Sequence, residues 1–264
     1  MSPWSIAQSR EPELMDDPAL AEAEHLHVLV ALARINAFSG TAASMARAID
    51  RLVAAGQELP RRLHVVDLAC GGGDVTVAIA RRLQRLLERR GQAGTGVEIH
   101  VTGIDMSPRA IDRARKFAAD AGARNVSFEA IDVVADGCPA CDVAMSSLFL
   151  HHLDDGDARK VLQSMAASAR LGLVVSDLLR SGPGLLLAIL GTTVLSTSRV
   201  ARVDGPRSVR AARTLDEYRL LFDQAGLVGA TLRRVWPERA LIEWPRPCGW
   251  QGPHHGSPQS SRCS

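Results

Sequence analysis

Lysine is almost missing from this sequence: Lys116 and Lys160 are the only two among 31 cationic residues, so arginine carries nearly all the positive charge. The skew fits a GC-rich coding bias and carries little functional meaning. An excess of charge of one sign is lacking too. Against 29 acidic residues the formal net charge is only +2, which gives no electrostatic reason to expect a nucleic-acid partner. No run of about 18 apolar residues occurs, which speaks against an ordinary membrane-spanning helix. The longest apolar stretch, GLLLAILGTTVL from Gly184 to Leu195, suits a buried or interfacial helix instead. Five scattered cysteines do not make the dense framework of a small secreted domain, and MSPWSIAQSREPELMDD has no cationic stretch followed by an apolar run. Both point to a reducing, cytoplasmic setting.

What is present is enough chain, 264 residues with 46% hydrophobic, to bury a full core. Residues 1–18, with Pro3, Pro12 and Pro18 among charges, read as an extended or frayed leader. Residues 19–60 read as two helices broken near Ser39-Gly40. From residue 61 to 245 short apolar strands alternate with helices. The strands fall at 63–68, 98–104, 126–131, 142–146 and 171–176, the helices at 74–90, 108–121 and 155–170. This alternation predicts an α/β fold with a parallel sheet covered on both faces. A helical insertion is expected over about 182–212, an apolar helix at 184–198 followed by an Arg-rich loop holding Asp204-Gly205-Pro206. A helix then opens at Thr214, and strands at 228–235 and 239–244 close the domain as a hairpin around Trp236-Pro237. The tail, 246–264, is Pro/Gly/Ser-rich and aperiodic, which predicts disorder.

Between the first strand and its helix stands Val65-Val66-Asp67-Leu68-Ala69-Cys70-Gly71-Gly72-Gly73-Asp74. Glycines there let backbone approach a ligand, and the helix start offers free N–H groups. Neither G-x-G-x-x-G nor G-x-x-x-x-G-K-[ST] is present, which weakens a dinucleotide or nucleoside-triphosphate reading. The block instead resembles motif I of the class I S-adenosylmethionine-dependent methyltransferases, with Ala69 replacing the first glycine. Asp105, in Gly103-Ile104-Asp105-Met106-Ser107-Pro108, and Asp132, in Phe128-Glu129-Ala130-Ile131-Asp132-Val133, end the second and third strands as that superfamily's acidic residues do. The resemblance covers roughly residues 60–245. It implies a Rossmann-like, seven-stranded, mostly parallel sheet with helices on both faces and an antiparallel last hairpin. S-adenosylmethionine is the implied cofactor, and the implied binding set is Asp67, Ala69, Cys70, Gly71, Gly73, Asp105, Met106, Asp132, Val133 and Ser147. Asp105 takes the ribose hydroxyls, Asp132 the adenine amino group, Met106 and Val133 flank the ring, and the Ala69–Gly73 loop takes the methionine half. The 38 positions from Asp67 to Asp105 are explained by an insertion at Arg90–Gly96.

After the fourth strand come Leu150-His151-His152-Leu153-Asp154, where an acceptor would lie. The N/D-P-P-Y/F set of nucleobase and amide N-methyltransferases is absent. Laid on the L-H-D-W-x-D pattern of phenol O-methyltransferases, His151 falls on the catalytic base and Asp177 on the carboxylate that orients it. A third acidic group expected just before Arg213-Thr214 is replaced by Ala212. The expected activity is methylation of a small, hydrophobic hydroxylated, phenolic or polyketide-type acceptor; a weaker whole-chain likeness to bacterial methyltransferases encoded near polyketide synthases agrees. Two alternatives stand beside it: C-methylation of a quinone or polyketide precursor, and a non-catalytic S-adenosylmethionine-binding partner protein. The segment 184–210, apolar and then rich in arginine, could cover the acceptor or touch a lipid-like substrate or an anionic membrane surface. Cys138-Pro139-Ala140-Cys141 has no second pair, His254-His255 is isolated, and no metal site is expected.

Overall fold

A computed structural model describes residues 6–17, 19–55, 61–89 and 97–250. Two helices come first, α1 (Glu22–Ser39) and α2 (Thr41–Ala55), and Gly40 between them takes the left-handed conformation that ends α1. The alternating units follow: β1 (Arg62–Leu68), α3 (Asp74–Arg89), β2 (Glu98–Asp105), α4 (Pro108–Asp120), β3 (Val126–Ala130), β4 (Cys141–Ser147), α5 (Asp155–Ser168) and β5 (Ala169–Leu178). The chain continues through α6 (Gly182–Leu195), α7 (Arg199–Ala211), α8 (Leu215–Gln224), β6 (Thr231–Val235) and β7 (Arg239–Pro245).

The seven strands form one sheet in the order β3-β2-β1-β4-β5-β7-β6, parallel except for β7, which runs antiparallel to both neighbours. Alternate residues of the central strands face opposite layers, as the two-residue period of a strand requires. Val65, Val143, Val174 and Leu241 pack with Met45, Ile49 and Ile79 of α2 and α3, while Val66, Ala144, Val175 and Ile242 pack with Leu162, Tyr218 and Phe222 of α5 and α8. Helix starts are capped from the sequence. Ser107 accepts from Ala110 N at 3.3 Å, Asp154 from Asp157 N at 2.8 Å, and Thr214 with Glu217 forms a reciprocal capping box. Strand order reverses between β1 and β4, so the crevice at their C-terminal ends is the expected ligand site of an open parallel sheet.

Two sequence expectations change. The Arg-rich loop is the helix α7, carrying Pro206 inside it, because Val200, Ala201, Asp204, Ser208, Val209 and Ala211 recur on one buried face. The leader is not frayed over its described part. A 3-10 turn at Leu14–Asp16 donates Leu14 N and Met15 N to the Asp204 carboxylate at 2.8 and 3.0 Å, Ser9 N donates to Arg210 O, and Glu13 is buried. The proposed insertion at 90–96 and the end of the tail, 251–264, lie outside the described residues.

Candidate active site

A cavity of about 1010 Å³ lies at the C-terminal ends of β1, β2 and β4 and runs under α1, α6 and the 3-10 turn. Pockets for one small ligand usually span about 300–1,000 Å³, so this one has room for a donor and an acceptor together. Of the cofactor residues expected from sequence, Ala69, Cys70, Gly71, Asp105, Met106, Asp132, Val133 and Ser147 line it. Asp67 and Gly73 do not, and each has another task.

Asp67 sits beneath the glycine loop, buried, with Oδ2 accepting from Thr76 Oγ1 at 2.6 Å and Oδ1 without a partner. Burial, opposed by the Thr76 hydrogen bond and reinforced by Asp74 and Asp105, pushes its carboxyl up to about 7. Gly73 holds φ +75°, and a Cβ there would stand 2.8 Å from Ala114 Cβ and 2.9 Å from the Phe128 ring, so it lets α3 pack against α4 and β3. Ala69 also takes a left-handed φ of 55°, the conformation that favours the glycine it replaces.

Asp105 braces the loop. Its Oδ2 accepts from Gly71 N and its Oδ1 from Ser107 N, both at 2.9 Å. Both carboxylate oxygens are thus oriented by the protein at the cavity wall. Asp132 accepts from Val134 N at 3.0 Å and Ala135 N at 3.3 Å, so it shapes the turn after β3 as well as lining the cavity. Met106 stands 71% exposed at the rim. Burial, with Asp67 and Asp105 nearby, pushes the Cys70 thiol well above its ordinary value, which removes it as a nucleophile. A Cβ on Gly71 would meet no atom within 4 Å, so the loop turns an open backbone face to the cavity. Exposed loop backbone, a braced acid at the end of β2 and a second acid after β3 suit the amino-acid end, ribose diol and adenine of S-adenosylmethionine.

At the other end His151 lies 3% exposed on the cavity wall. Its Nδ1 donates to Asp177 Oδ1 at 2.6 Å, and its backbone N donates to Asp177 Oδ2 at 3.2 Å. Asp177, fully buried behind it, also accepts from Leu178 N at 2.7 Å. Burial alone would raise the Asp177 carboxyl, but the His151 charge and these hydrogen bonds hold it below the usual carboxylate range. An ionised Asp177 fixes the proton on Nδ1 and leaves the Nε2 lone pair for chemistry. The turn carrying His151 is clamped by Arg213, 2% exposed, which donates to Leu150 O at 2.6 Å, Leu153 O at 3.0 Å and Asp155 Oδ1 at 2.7 Å.

Sequence reasoning missed three residues here. Glu13 brings Oε1 to 3.8 Å from His151 Nε2 and 3.9 Å from His152 Nδ1, and accepts from Ser208 Oγ at 2.5 Å. A carboxylate therefore does face the histidines where Ala212 offers none. Buried Arg239 donates to Thr41 Oγ1 at 2.6 Å and Asn36 Oδ1 at 3.2 Å, and Asn36 in turn donates to Asp74 Oδ2 at 3.1 Å. Burial draws Arg239 down to about 10 despite Asp177 and Asp74 nearby. This chain ties α1, the cavity's roof, to the start of α3. Leu187, Ala188, Gly191 and Leu195 of α6 complete an apolar ceiling.

Residues 60–185 match the family model described as a methyltransferase domain, and none of the curated proteins matches the sequence significantly. Among solved structures, the S-adenosylmethionine-dependent methyltransferase SibL in its apo form is 20% identical at a TM-score of 0.52, covering 75% of this chain and 54% of its own. Magnesium protoporphyrin IX methyltransferase from Synechocystis PCC 6803 with bound SAH is 20% identical at a TM-score of 0.53, covering 80% of this chain and 84% of that one. An O-methyltransferase family 2 protein from Planctomyces limnophilus DSM 3776, in complex with apigenin, is 18% identical at 0.55, covering 88% and 63%. The chain thus spans about half the length of SibL and less than two thirds of the Planctomyces protein. Identities this low establish the fold alone, and the domain match points to methyl transfer as the class of chemistry. Residues 60–185 thus match a methyltransferase domain, and the chain carries the same fold as S-adenosylmethionine-dependent methyltransferases such as the Synechocystis enzyme.

Proposed function

We propose that this chain methylates an oxygen of a small hydrophobic acceptor and that His151, oriented by Asp177, takes the acceptor's proton. When bound, S-adenosylmethionine supplies an electrophilic methyl group on a sulfonium. Asp105 would hold the ribose hydroxyls, Asp132 the adenine amino group and the loop Ala69–Gly71 the amino-acid end. The apolar ceiling of α6 would exclude water and orient the acceptor, because in-line transfer needs alignment above all. The observation that carries the reading is the 2.6 Å contact from His151 Nδ1 to Asp177, which leaves Nε2 as an acceptor on the cavity wall. A phenol of ordinary pKa near 10 needs its proton removed at neutral pH, and a positioned base contributes about 10²–10⁴-fold. Leu190 and Val194, exposed at the cavity's edge, favour an apolar or lipid-like acceptor.

The test is mass spectrometry of products formed from methyl-labelled S-adenosylmethionine with a panel of phenols and hydroxylated polyketides, run with wild type and His151→Ala. Label on oxygen that falls at least 100-fold in the variant supports the reading. Label on carbon with full turnover in His151→Ala replaces it with C-methylation, and cofactor binding without any transfer replaces it with a non-catalytic role.

A further inference from the structure

The sequence offers no paired metal-ligand motif, yet the fold gathers Glu13, His151 and His152 so that one ligand atom from each lies within 4.8 Å of the others. The contributions come from places 138 and more positions apart. Glu13 is delivered by the N-terminal turn, which is pinned to α7 by Asp204 and Ser208; the two histidines come from the turn after β4. Glu13 Oε1 stands 3.8 Å from His151 Nε2 and 3.9 Å from His152 Nδ1, and the two rings lie 4.2 Å apart between centroids, tilted by 35°. These separations are too long for hydrogen bonds. Three ligands around a tetrahedral zinc at about 2.0–2.2 Å stand roughly 3.3–3.5 Å from one another, so a small side-chain adjustment brings the trio to bonding distance.

Its surroundings also suit a metal. His151 donates Nδ1–H to ionised Asp177 at 2.6 Å, and a metal-ligating histidine nearly always has such an acceptor on its other nitrogen, which fixes the tautomer and raises the basicity of the ligand. Two imidazoles and one carboxylate are borderline donors of the kind that hold zinc or cobalt rather than magnesium or calcium. Glu13, His151 and His152 all line the acceptor cavity, so the fourth position of a tetrahedral ion would face open space.

We propose that Glu13, His151 and His152 form a site for a divalent transition-metal ion of the zinc type, and that loading it reversibly inhibits methyl transfer. The ion takes the Nε2 lone pair that the base reading needs; no bond is broken and no electron moves. Binding also fastens the N-terminal turn to the acceptor end of the cavity. Only the inhibitory consequence rests on His151 being the base; the site itself does not.

The experiment uses the full chain, stripped with chelator, in which His254 and His255 have been changed to alanine to remove tail ligands. Titration with zinc by calorimetry and with cobalt(II) by visible absorption should give one equivalent, with cobalt d–d bands of a nitrogen/oxygen tetrahedral site. His152→Ala, at a partly exposed position, should weaken binding at least 100-fold, Glu13→Gln similarly, and Asp177→Asn by about 10–100-fold. Binding of S-adenosylhomocysteine to each variant reports its folding. One equivalent of zinc should abolish methyl transfer and chelator should restore it. Zinc affinity unchanged in His152→Ala and Glu13→Gln, no binding at all, or an intense thiolate charge-transfer band would overturn the proposal. A metal-stripped wild type that transfers no methyl overturns the proposed function instead, and leaves the titration to decide the site.

Discussion

Replacing Asp177 by asparagine keeps the side chain's shape and removes its charge, and the structure says what that must do. The carboxylate accepts three N–H groups, Leu178 N at 2.7 Å and His151 Nδ1 at 2.6 Å on one oxygen and His151 N at 3.2 Å on the other. An asparagine has only one acceptor oxygen. If it keeps Oδ1 in place, its NH₂ faces the His151 backbone N–H; if it flips, its NH₂ faces Leu178 N and the His151 ring. In the first case a buried donor loses its partner, at about 1–3 kcal/mol. In the second the ring must also move its proton to Nε2, which removes the lone pair that faces the cavity. The expected thermal shift is a Tm lower by about 2–12 °C, from about 2–4 °C per kcal/mol at this chain length. Turnover should fall by about 10²–10⁴-fold in the methyl-transfer assay. Affinity for S-adenosylhomocysteine should stay within about twofold, because Asp177 does not line the cavity. Unchanged turnover in a folded Asp177→Asn protein, or a cofactor affinity that falls in step with turnover, refutes the reasoning.

The other predictions concern the elements around that contact. Asp67 has a folded carboxyl raised to about 7, above its unfolded value near 3.9, so it favours folding at low pH and loses that contribution as pH rises through about 4 to 7. Asp67→Asn, which can still accept from Thr76, should therefore raise Tm relative to wild type at pH 8 and much less at pH 4.5; thermal scans at the two pH values check the sign. Asp177 works in the opposite direction. Its lowered carboxyl stabilises the fold at neutral pH and that contribution is lost as pH falls below about 4, so the Tm gap between wild type and Asp177→Asn should narrow as pH falls from about 7 towards about 3. Arg213→Ala leaves Leu150 O and Leu153 O without their donor and should cost about 2–6 kcal/mol, at about 1–3 kcal/mol per orphaned acceptor, read as denaturant midpoint, together with a loss of turnover that Arg213→Lys does not restore.

Much of the fold is written in local periodicity. The glycine block after β1 and the break at Ser39-Gly40 each specify backbone without help from distant residues. The pairing of His151 with Asp177 was legible through the resemblance to phenol O-methyltransferases, and the fold delivers it by setting β4 and β5 side by side as adjacent parallel strands. Two features were not. Gly205-Pro206 reads as a turn on local rules, yet α7 persists because its apolar face is buried and Asp204 is occupied by the turn at Leu14. Glu13 looked like one more charge in a polar leader, since its partner Ser208 lies 195 positions away and nothing local marks the contact. Asp67 misled for a related reason: an acid at the end of β1 signals the loop correctly, but whether it meets the ligand or braces Thr76 depends on how α3 seats.

If the ends of β1 and β2 hold S-adenosylmethionine through the loop braced by Asp105, as proposed, calorimetric titration of the full chain with S-adenosylhomocysteine will show it. The titration should give one site of about micromolar affinity, near −8 kcal/mol, weakened by about 1–3 kcal/mol in Asp105→Ala through loss of charge-assisted hydrogen bonds. Binding of NAD with no response to S-adenosylhomocysteine, or an Asp105→Ala protein with unchanged affinity, would contradict it.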